Sequence, residues 1–295
     1  MSDSVASLRH KIASAEDLES VVRTMKAMAA SSIGQYENAV RSLDDYYRTV
    51  QLGLAVCFRE EQSQGVTTSR HQQETAAIGA IVFGSDQGLV GQFNEVMLEF
   101  TVDTLAKLPG DKTVWAVGER IQSRLAETNL LPAEGFILPN SINAITELVG
   151  QILIEMDAQR EQGSIDQVYL FHNRPQSGSI YSPVSQQLLP LDETWRHKLT
   201  GIRWPTHNLP EVMNSRERTL RSLIREYLFV TLFRACAESL ASENASRLAA
   251  MQRAEKNIDE LLDELNKTFH QLRQRSIDEE LFDVVSGYDS MSTKS

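Results

Sequence analysis

Apolar residues recur at alternating spacings of three and four positions along both ends of the chain. Such a heptad pattern places one narrow apolar stripe on a helix, and a partner helix covers the stripe by supercoiling around it. The N-terminal stripe is Leu8, Ile12, Ala15, Glu19, Val22, Lys26, Ala29, Ile33, Tyr36, Val40, Leu43, Tyr47, Val50 and Leu54. The C-terminal stripe is Leu220, Leu223, Tyr227, Val230, Arg234, Ala237, Ala241, Asn244, Leu248, Met251, Glu255, Ile258, Leu262, Leu265, Phe269 and Leu272.

The two stripes predict a pair of long antiparallel helices. No Gly or Pro occurs across residues 211–286, and a continuous helix over that span would extend about 110 Å at 1.5 Å per residue. The N-terminal segment has no Pro, and its interior Gly34 costs a long helix only about 1 kcal/mol relative to Ala. Either stripe alone would also suit packing onto a globular core, but two stripes of this length favour a two-helix coiled coil.

The middle of the chain has a different pattern, in which short β-rich runs alternate with helical stretches. This alternation predicts βαβ units and a mostly parallel sheet with flanking helices. The predicted strands are residues 76–83, 113–117, 136–138 and 167–171, the predicted helices are 89–108, 119–127 and 141–160, and residues 179–191 are predicted as edge structure.

These patterns divide the chain into five segments. They are an N-terminal coiled-coil helix at residues 1–58, a polar linker at 59–74, an α/β Rossmann-like head at 75–208, a C-terminal coiled-coil helix at 209–287 and a tail at 288–295.

Charge and composition exclude several classes of function. The net charge of -11 and the pI near 5.1 disfavour a nucleic-acid partner. No apolar run approaches the roughly 20 residues of a membrane-spanning helix, and no secretory signal is visible, so we expect a cytoplasmic protein without direct membrane insertion. Cys57 and Cys236 stand apart from any metal-ligand spacing and predict neither a disulfide nor a metal site.

A glycine-rich turn at residues 84–94 follows the first predicted strand. It contains neither GxGxxG nor GxxxxGK[ST], so we interpret its glycines as permitting a tight turn and close helix packing, with Ser85 or Asp86 capping the next helix. The six histidines are scattered and form no recognisable catalytic set. The residues therefore predict no catalytic site, cofactor or metal.

Several blocks of the sequence resemble the gamma subunit of F-type ATP synthases. The blocks are residues 11–14, 24–31, 84–94, 238–251, 272–277 and 284–287, and they occur in the same order and at similar spacing as in that family.

The resemblance implies a central rotor shaft that catalyses nothing itself. Its two terminal helices would form a coiled coil inside a ring of alpha and beta subunits, and its head would hold the epsilon subunit and the c-subunit ring of the membrane sector. Ion flow through that sector would turn the shaft and drive ATP synthesis or hydrolysis in the ring. The chain would be peripheral, at the cytoplasmic face of the inner (plasma) membrane.

The resemblance also implies contact residues. The catch between shaft and beta subunit maps onto Arg247, Gln274 and Asp278, and a further shaft contact maps onto Met25 and Lys26. Asp278 stands where the family usually has a threonine, which would place a carboxylate against a loop that is itself acidic in the family.

Other departures indicate a divergent member. Gln87 replaces the usual arginine and Val90 the usual cysteine. They suggest the hypothesis of an alternative, sodium-type F-type ATPase, although the coupling ion is selected in the membrane ring.

Two alternatives to the rotor stay open at this stage. One is a coiled-coil scaffold with a small α/β head, and the other is an α/β nucleotide-binding enzyme with a helical dimerisation arm. The stripes also contain polar residues, which either fix the register of the coil or face the surrounding ring. They are Glu19, Lys26, Arg234, Asn244 and Glu255.

Overall fold

The computed structural model describes residues 4–63, 77–177, 179–191, 193–208, 210–212 and 215–292, without the side chains of 60–63, 179 and 287–292. The chain forms two compact units. The helical unit comprises Met1–Ala29 and Leu248–Ser295, and the sheet unit comprises Ala30–Arg247. Most of the predicted linker, from residue 64 to 74, lies outside the described residues.

Six helices and five strands make up the described chain. In chain order they are α1 (Val5–Ser63), β1 (Ile78–Phe83), α2 (Phe93–Ala106), β2 (Lys112–Val117), α3 (Glu119–Ala126), β3 (Pro132–Phe136), α4 (Ile142–Glu161), β4 (Gln167–Gln176), β5 (Ser179–Leu189), α5 (Glu193–Thr200) and α6 (Arg216–Ser292).

The five strands form one sheet in the order β3-β2-β1-β4-β5. β1, β2, β3 and β4 are parallel, and β5 runs antiparallel to β4 at one edge. The edge position of β5 accommodates Pro183, which has no N–H to donate to a further strand. The predicted mostly parallel sheet is confirmed.

Both faces of the sheet are covered, so the central strands are almost entirely apolar. One face, with Ile81, Trp115 and Leu170, packs in a core shared with α1, α4 and α6. The other face, with Val82 and Ala116, packs against α2 and α3. All six residues of β1 are buried, as a strand covered on both sides requires.

α1 and α6 pack against each other in both units, and they run antiparallel. In the sheet unit the rings of Tyr47 and Tyr227 lie 5.9 Å apart, and Tyr46 Oη donates to Glu226 Oε2 at 2.7 Å. In the helical unit the Arg9 guanidinium lies over the Phe269 ring, 5.5 Å from its centre. Every described residue of the two predicted stripes is buried or half-buried, so the predicted antiparallel coiled coil is confirmed.

Several element boundaries differ from the predicted ones. β3 covers Pro132–Phe136 instead of residues 136–138, because an edge strand with little burial needs no apolar run to mark it. α2 begins at Phe93 instead of residue 89, and the short helix α5 was not predicted. α1 continues to Ser63, and α6 runs from Arg216 to Ser292.

Candidate coupling site on the long helices

An ion cluster joins the two helices of the helical unit. Lys26 Nζ donates to Glu255 Oε2 at 2.5 Å, and Arg23 pairs with Glu19 and, at 3.6 Å, with Glu255. The hydrogen bond from Lys26, helped by both positive charges, lowers the pKa of Glu255. The polar stripe residues Glu19, Lys26 and Glu255 therefore face one another across the seam, which favours the interpretation that they fix its register.

A second apolar stripe on α1 points away from this seam. Leu18, Val21 and Met28 are 57%, 55% and 66% exposed, and the neighbouring Met25 is half-buried. Sequence reasoning missed this stripe because it assigned only one apolar face to the helix. The sequence did contain a signal for this stripe, because Leu18, Val21 and Met28 are separated by three and seven positions and lie outside the heptad positions of the first stripe.

Near its end, α6 carries two of the predicted catch residues on an exposed face. Gln274 and Asp278 are both exposed, and as residues four apart they share one side of the helix. Large apolar side chains at Ile277, Leu281 and Phe282 are 51%, 64% and 75% exposed nearby. An exposed apolar patch of this kind is typical of an interaction surface.

The third predicted catch residue, Arg247, belongs to the sheet unit and is committed to its own helix. Its side chain is 12% exposed, Nη2 donates to Glu243 Oε1 at 2.6 Å, and Nη1 donates to Asn244 Oδ1 at 3.2 Å. Burial raises the pKa of Glu243, and the charge of Arg247 opposes that rise only in part. Arg247 therefore needs a strong competing acceptor before it can contact another subunit.

A buried polar network attaches α6 to β4 of the sheet. The Glu238 carboxylate accepts from His172 Nε2 at 2.9 Å, from Arg174 Nε at 2.8 Å and from Arg234 Nε at 2.9 Å. Arg234 Nη1 also lies 3.3 Å from Asp44 Oδ1 of α1. The network thus joins both long helices to the sheet.

The charges of this network are fixed by its surroundings. Burial alone would raise the pKa of Glu238, but the hydrogen bonds from His172, Arg234 and Arg174 together lower it to about 2. Burial lowers the pKa of His172, which therefore stays neutral near pH 7. Because a carboxylate only accepts, the ring proton lies on Nε2, and the unprotonated Nδ1 has no hydrogen-bond partner among the described residues. Sequence reasoning missed this network because its members are far apart along the chain.

The glycine-rich turn is held by internal hydrogen bonds. Asn94 Oδ1 accepts from the Ser85 N–H at 2.9 Å, and Asn94 Nδ2 donates to Ser85 Oγ at 2.8 Å. Asp86 accepts from the backbone N–H groups of Glu119 at 2.9 Å and Leu138 at 3.1 Å. The prediction that Ser85 or Asp86 caps α2 was wrong, because Asp86 instead satisfies the first turn of α3.

The turn also contacts α6. Ser246 Oγ of α6 donates to the Val90 carbonyl of the turn at 2.5 Å. One helical turn earlier, Ser242 Oγ donates to the Glu238 carbonyl at 2.8 Å and lies 3.2 Å from the Asn173 carbonyl of β4. A Cβ on Gly84 would lie 2.2 Å from Cβ of Ile121, so this glycine is needed for the close approach of α3. The turn therefore holds α3 and α6 close to the sheet.

Comparisons with known proteins agree with this geometry. The model of the ATP synthase family (ATP-synt) matches residues 4–291 of the chain. The ATP synthase gamma chain of Cupriavidus pinatubonensis is 25% identical over 288 residues, which cover 95% of this chain and 97% of that one. The chain belongs to the ATP synthase gamma family.

Solved structures share the fold. The Euglena gracilis mitochondrial ATP synthase (OSCP/F1/c-ring) contains a chain with a TM-score of 0.66 and 16% identity, covering 97% of this chain and 94% of that one. The central stalk/c-ring structure of the Tetrahymena thermophila enzyme contains one with a TM-score of 0.58 and 20% identity, covering 79% and 99%.

Membership in the ATP synthase gamma family makes this chain a non-catalytic subunit, the central rotor of an ATP synthase. Among the described residues, no helix is long and apolar enough to cross a bilayer. The same part of the chain contains no cluster of three or more His, Cys, Asp or Glu side chains that could hold a metal ion.

Proposed function

We propose that the helical unit turns inside a ring of alpha and beta subunits, while the sheet unit binds the epsilon subunit and the c-subunit ring. The observation that carries this proposal is the family match over residues 4–291, which includes both long helices and the whole sheet. The solved structures with this fold are described as central stalk and rotor assemblies, which supports the same partners.

Such a rotor acts on the ring through differential contact. It shifts the equilibrium of a catalytic site only by the difference between its interactions with the open and closed states. The second stripe of α1, with Leu18, Val21 and Met28, and the exposed apolar end of α6 supply surfaces for these contacts. Because these surfaces occupy one side of each helix, the ring meets a different surface at each angle.

The predicted contact residues act in three distinct ways under this proposal. Gln274 and Asp278 are exposed and available to a beta subunit without rearrangement. Arg247 makes its contact by exchanging Glu243 for a carboxylate of the ring. Met25 contacts the ring, while Lys26 fixes the position of Met25 through its ion pair with Glu255.

Under this proposal the coupling takes place at the cytoplasmic face of the inner (plasma) membrane, where the c-ring meets the sheet unit. The choice of coupling ion, sodium or proton, stays a hypothesis because the ion is selected in the membrane ring. The direction of net operation is likewise a property of the complex.

The rival nucleotide-binding enzyme has little support from the sheet unit. In the glycine-rich turn, the Asp86 carboxylate and the Ser85 N–H already bond to groups within the sheet unit. A phosphate would have to displace these bonds and would find a carboxylate in its place.

Native mass spectrometry of the tagged protein, purified from its own membranes, tests the assembly. One copy of this chain with three alpha and three beta subunits supports the rotor. A free homodimer without ATPase subunits contradicts the rotor and favours a coiled-coil scaffold.

A second measurement tests coupling. In inverted membrane vesicles, Leu262→Asp introduces a charge into the seam of the helical unit, where Leu262 is half-buried. We expect ATP-driven ion pumping to fall together with the amount of assembled complex. Intact pumping with this variant would contradict the role given to the helical unit.

A further inference from the structure

β3 leaves one edge of the sheet open. It is the terminal strand and, among the described residues, pairs only with β2. The N–H of Gly118 donates to the Phe136 carbonyl on the β2 side at 2.8 Å. Because backbone groups of successive strand residues point to opposite edges, those of Gly135 face outward. The pairing with β2 shifts register between Pro132 and Glu134, so Ala133 lies at a bulge. Within the described chain, no backbone hydrogen bond from another element reaches this outer edge.

A groove of about 660 Å³ lies beside this open edge. β3 and the residues after it form one wall, and α4 forms the other. Ile137 and Ile154 line it and are 75% and 66% exposed. Exposed apolar side chains usually occur singly on a surface, so two in one groove indicate an interaction site. The groove therefore combines outward backbone groups of β3 with exposed apolar side chains, as sites of strand addition do.

The charges of the groove are all of one sign. Its lining includes Glu134, Glu147 and Glu155 and contains no Lys or Arg. Glu155 also accepts from Gln159 Nε2 at 2.9 Å, which holds it in place. A basic partner segment would be attracted to these three carboxylates.

The same charges argue against a second copy of this chain. If two β3 strands paired edge to edge, their grooves would meet and six carboxylates would face one another. Like charges placed opposite one another on paired strands are destabilising. The acidic lining therefore disfavours pairing of two copies of this chain through the exposed edge of β3.

We propose that the open edge of β3 is a docking site for an extended, basic segment of another protein, which adds to the sheet as a further strand. Its backbone pairs with the outward groups of β3 at Gly135. The side chains on its groove-facing side are in part apolar, covering Ile137 and Ile154, and in part Lys or Arg, pairing with the three glutamates. A strand that matches β3 is about five residues or 16 Å long at about 3.3 Å per residue.

Peptide binding to the full-length chain tests this site. The probe is a fluorescein-labelled seven-residue peptide, Lys-Ser-Val-Ser-Lys-Ser-Val (the Lys-Val peptide), and its binding is followed by fluorescence anisotropy at physiological salt. In a strand its Lys and Val side chains lie on the same face, which faces the groove. One control peptide has Glu in place of each Lys. A second keeps the Lys-Val sequence but carries N-methyl groups on alternate backbone amides, which retains charge and removes strand pairing.

Two charge-matched variants locate the binding. E134K/E147K/E155K reverses the groove, and E99K/D103K/E127K makes the same change in net charge on exposed residues elsewhere in the sheet unit. We expect the groove variant to bind the Lys-Val peptide about tenfold more weakly, since three partly exposed ion pairs together account for roughly that factor. The distant variant should retain the affinity of the parent chain.

Amide hydrogen exchange then distinguishes strand addition from adsorption of a basic peptide to an acidic protein. Bound Lys-Val peptide should protect residues 131–137, and the N-methylated peptide should bind weakly. The proposal is overturned if the peptide does not bind at millimolar concentration, if both variants weaken binding equally, or if protection appears elsewhere.

Discussion

Replacing Glu238 with glutamine removes the charge that attaches α6 to β4. The carboxylate is only 7% exposed and accepts three hydrogen bonds, from His172, Arg174 and Arg234. Removing one partner of a buried ion pair lowers the free energy of unfolding by about 3–5 kcal/mol. The side chains of Arg174 and Arg234 are 47% and 36% exposed and recover part of their hydration. We therefore expect a loss at the low end of this range, about 3 kcal/mol.

Urea unfolding, monitored by tryptophan fluorescence, measures this loss of stability in the sheet unit. All three tryptophans, Trp115, Trp195 and Trp204, belong to the sheet unit, so the signal reports on that unit alone. With a slope of roughly 3 kcal/mol per M, the midpoint should fall by about 1 M. Glu226→Gln is the matched control, since Glu226 lies on the same helix but is exposed.

The stabilisation from Glu238 should also depend on pH. The pKa of Glu238 is about 2 in the folded protein and 4.5 for an unperturbed glutamate, so its contribution is fully present above pH 4.5 and is lost as pH falls toward 2. The difference between the parent chain and Glu238→Gln should therefore shrink by roughly half at pH 3. An unchanged difference from pH 6 to pH 3 would show that the charge of Glu238 is not the cause.

The reasoning would be refuted by equal midpoints for Glu238→Gln and Glu226→Gln at pH 7. That result would mean that the amide replaces the carboxylate in the network at no cost, and that the three hydrogen bonds contribute through shape instead of charge.

Three further predictions use changes at other points of the structure. Gly84→Ala should destabilise the sheet unit by about 1–3 kcal/mol through overpacking. At Gly150 a Cβ meets nothing within 4 Å, so Gly150→Ala should stabilise helix α4 by about 1 kcal/mol. Urea unfolding monitored by tryptophan fluorescence measures both changes. Lys26→Glu should lower the thermal stability of the helical unit, measured by circular dichroism, and the added change Glu255→Lys should restore most of it, because the pair is then reversed instead of broken. Asp278→Thr should shift the contact between shaft and beta subunit toward engagement by a factor of about 1.4–5, since one exposed charge is worth about 0.2–1 kcal/mol. The cross-linking yield between this face of α6 and the beta subunit in the assembled complex measures the shift, and no change would remove Asp278 from the catch.

The two ion clusters have different physical roles in the chain. The pair of Lys26 and Glu255 lies in the seam of the helical unit, where an oppositely charged pair matches only when the helices are in one register. The network around Glu238 connects three elements of the sheet unit, and its carboxylate and imidazole are buried. The first cluster specifies an alignment, and the second attaches a helix to a sheet.

The long helices could be predicted because their physical cause is local. A heptad stripe in the sequence requires a partner helix, and residues such as Leu8, Leu54, Tyr227 and Met251 are buried where the spacing places them. The parallel sheet could also be predicted, since strands covered on both faces need continuous apolar runs such as that of β1. β3 has no such run because it is an edge strand, and its position was therefore misjudged.

The candidate site was only partly accessible to sequence reasoning. Gln274 and Asp278 share an exposed face of α6, as residues four apart on a helix must. The burial of Arg247 against Glu243 could not be foreseen. Heptad spacing assigns residues to the face of one helix, but it does not show how closely the sheet packs against the other faces.

By itself, the sequence determined that two long helices pair and that a parallel α/β sheet lies between them, because hydrophobic periodicity is set by helix and strand geometry. Only the tertiary structure decided which polar groups meet. His172 and Glu238 are 66 positions apart, and Asp86 caps a helix that begins 33 residues later. Such contacts depend on how elements cross in space, and no local spacing records that crossing.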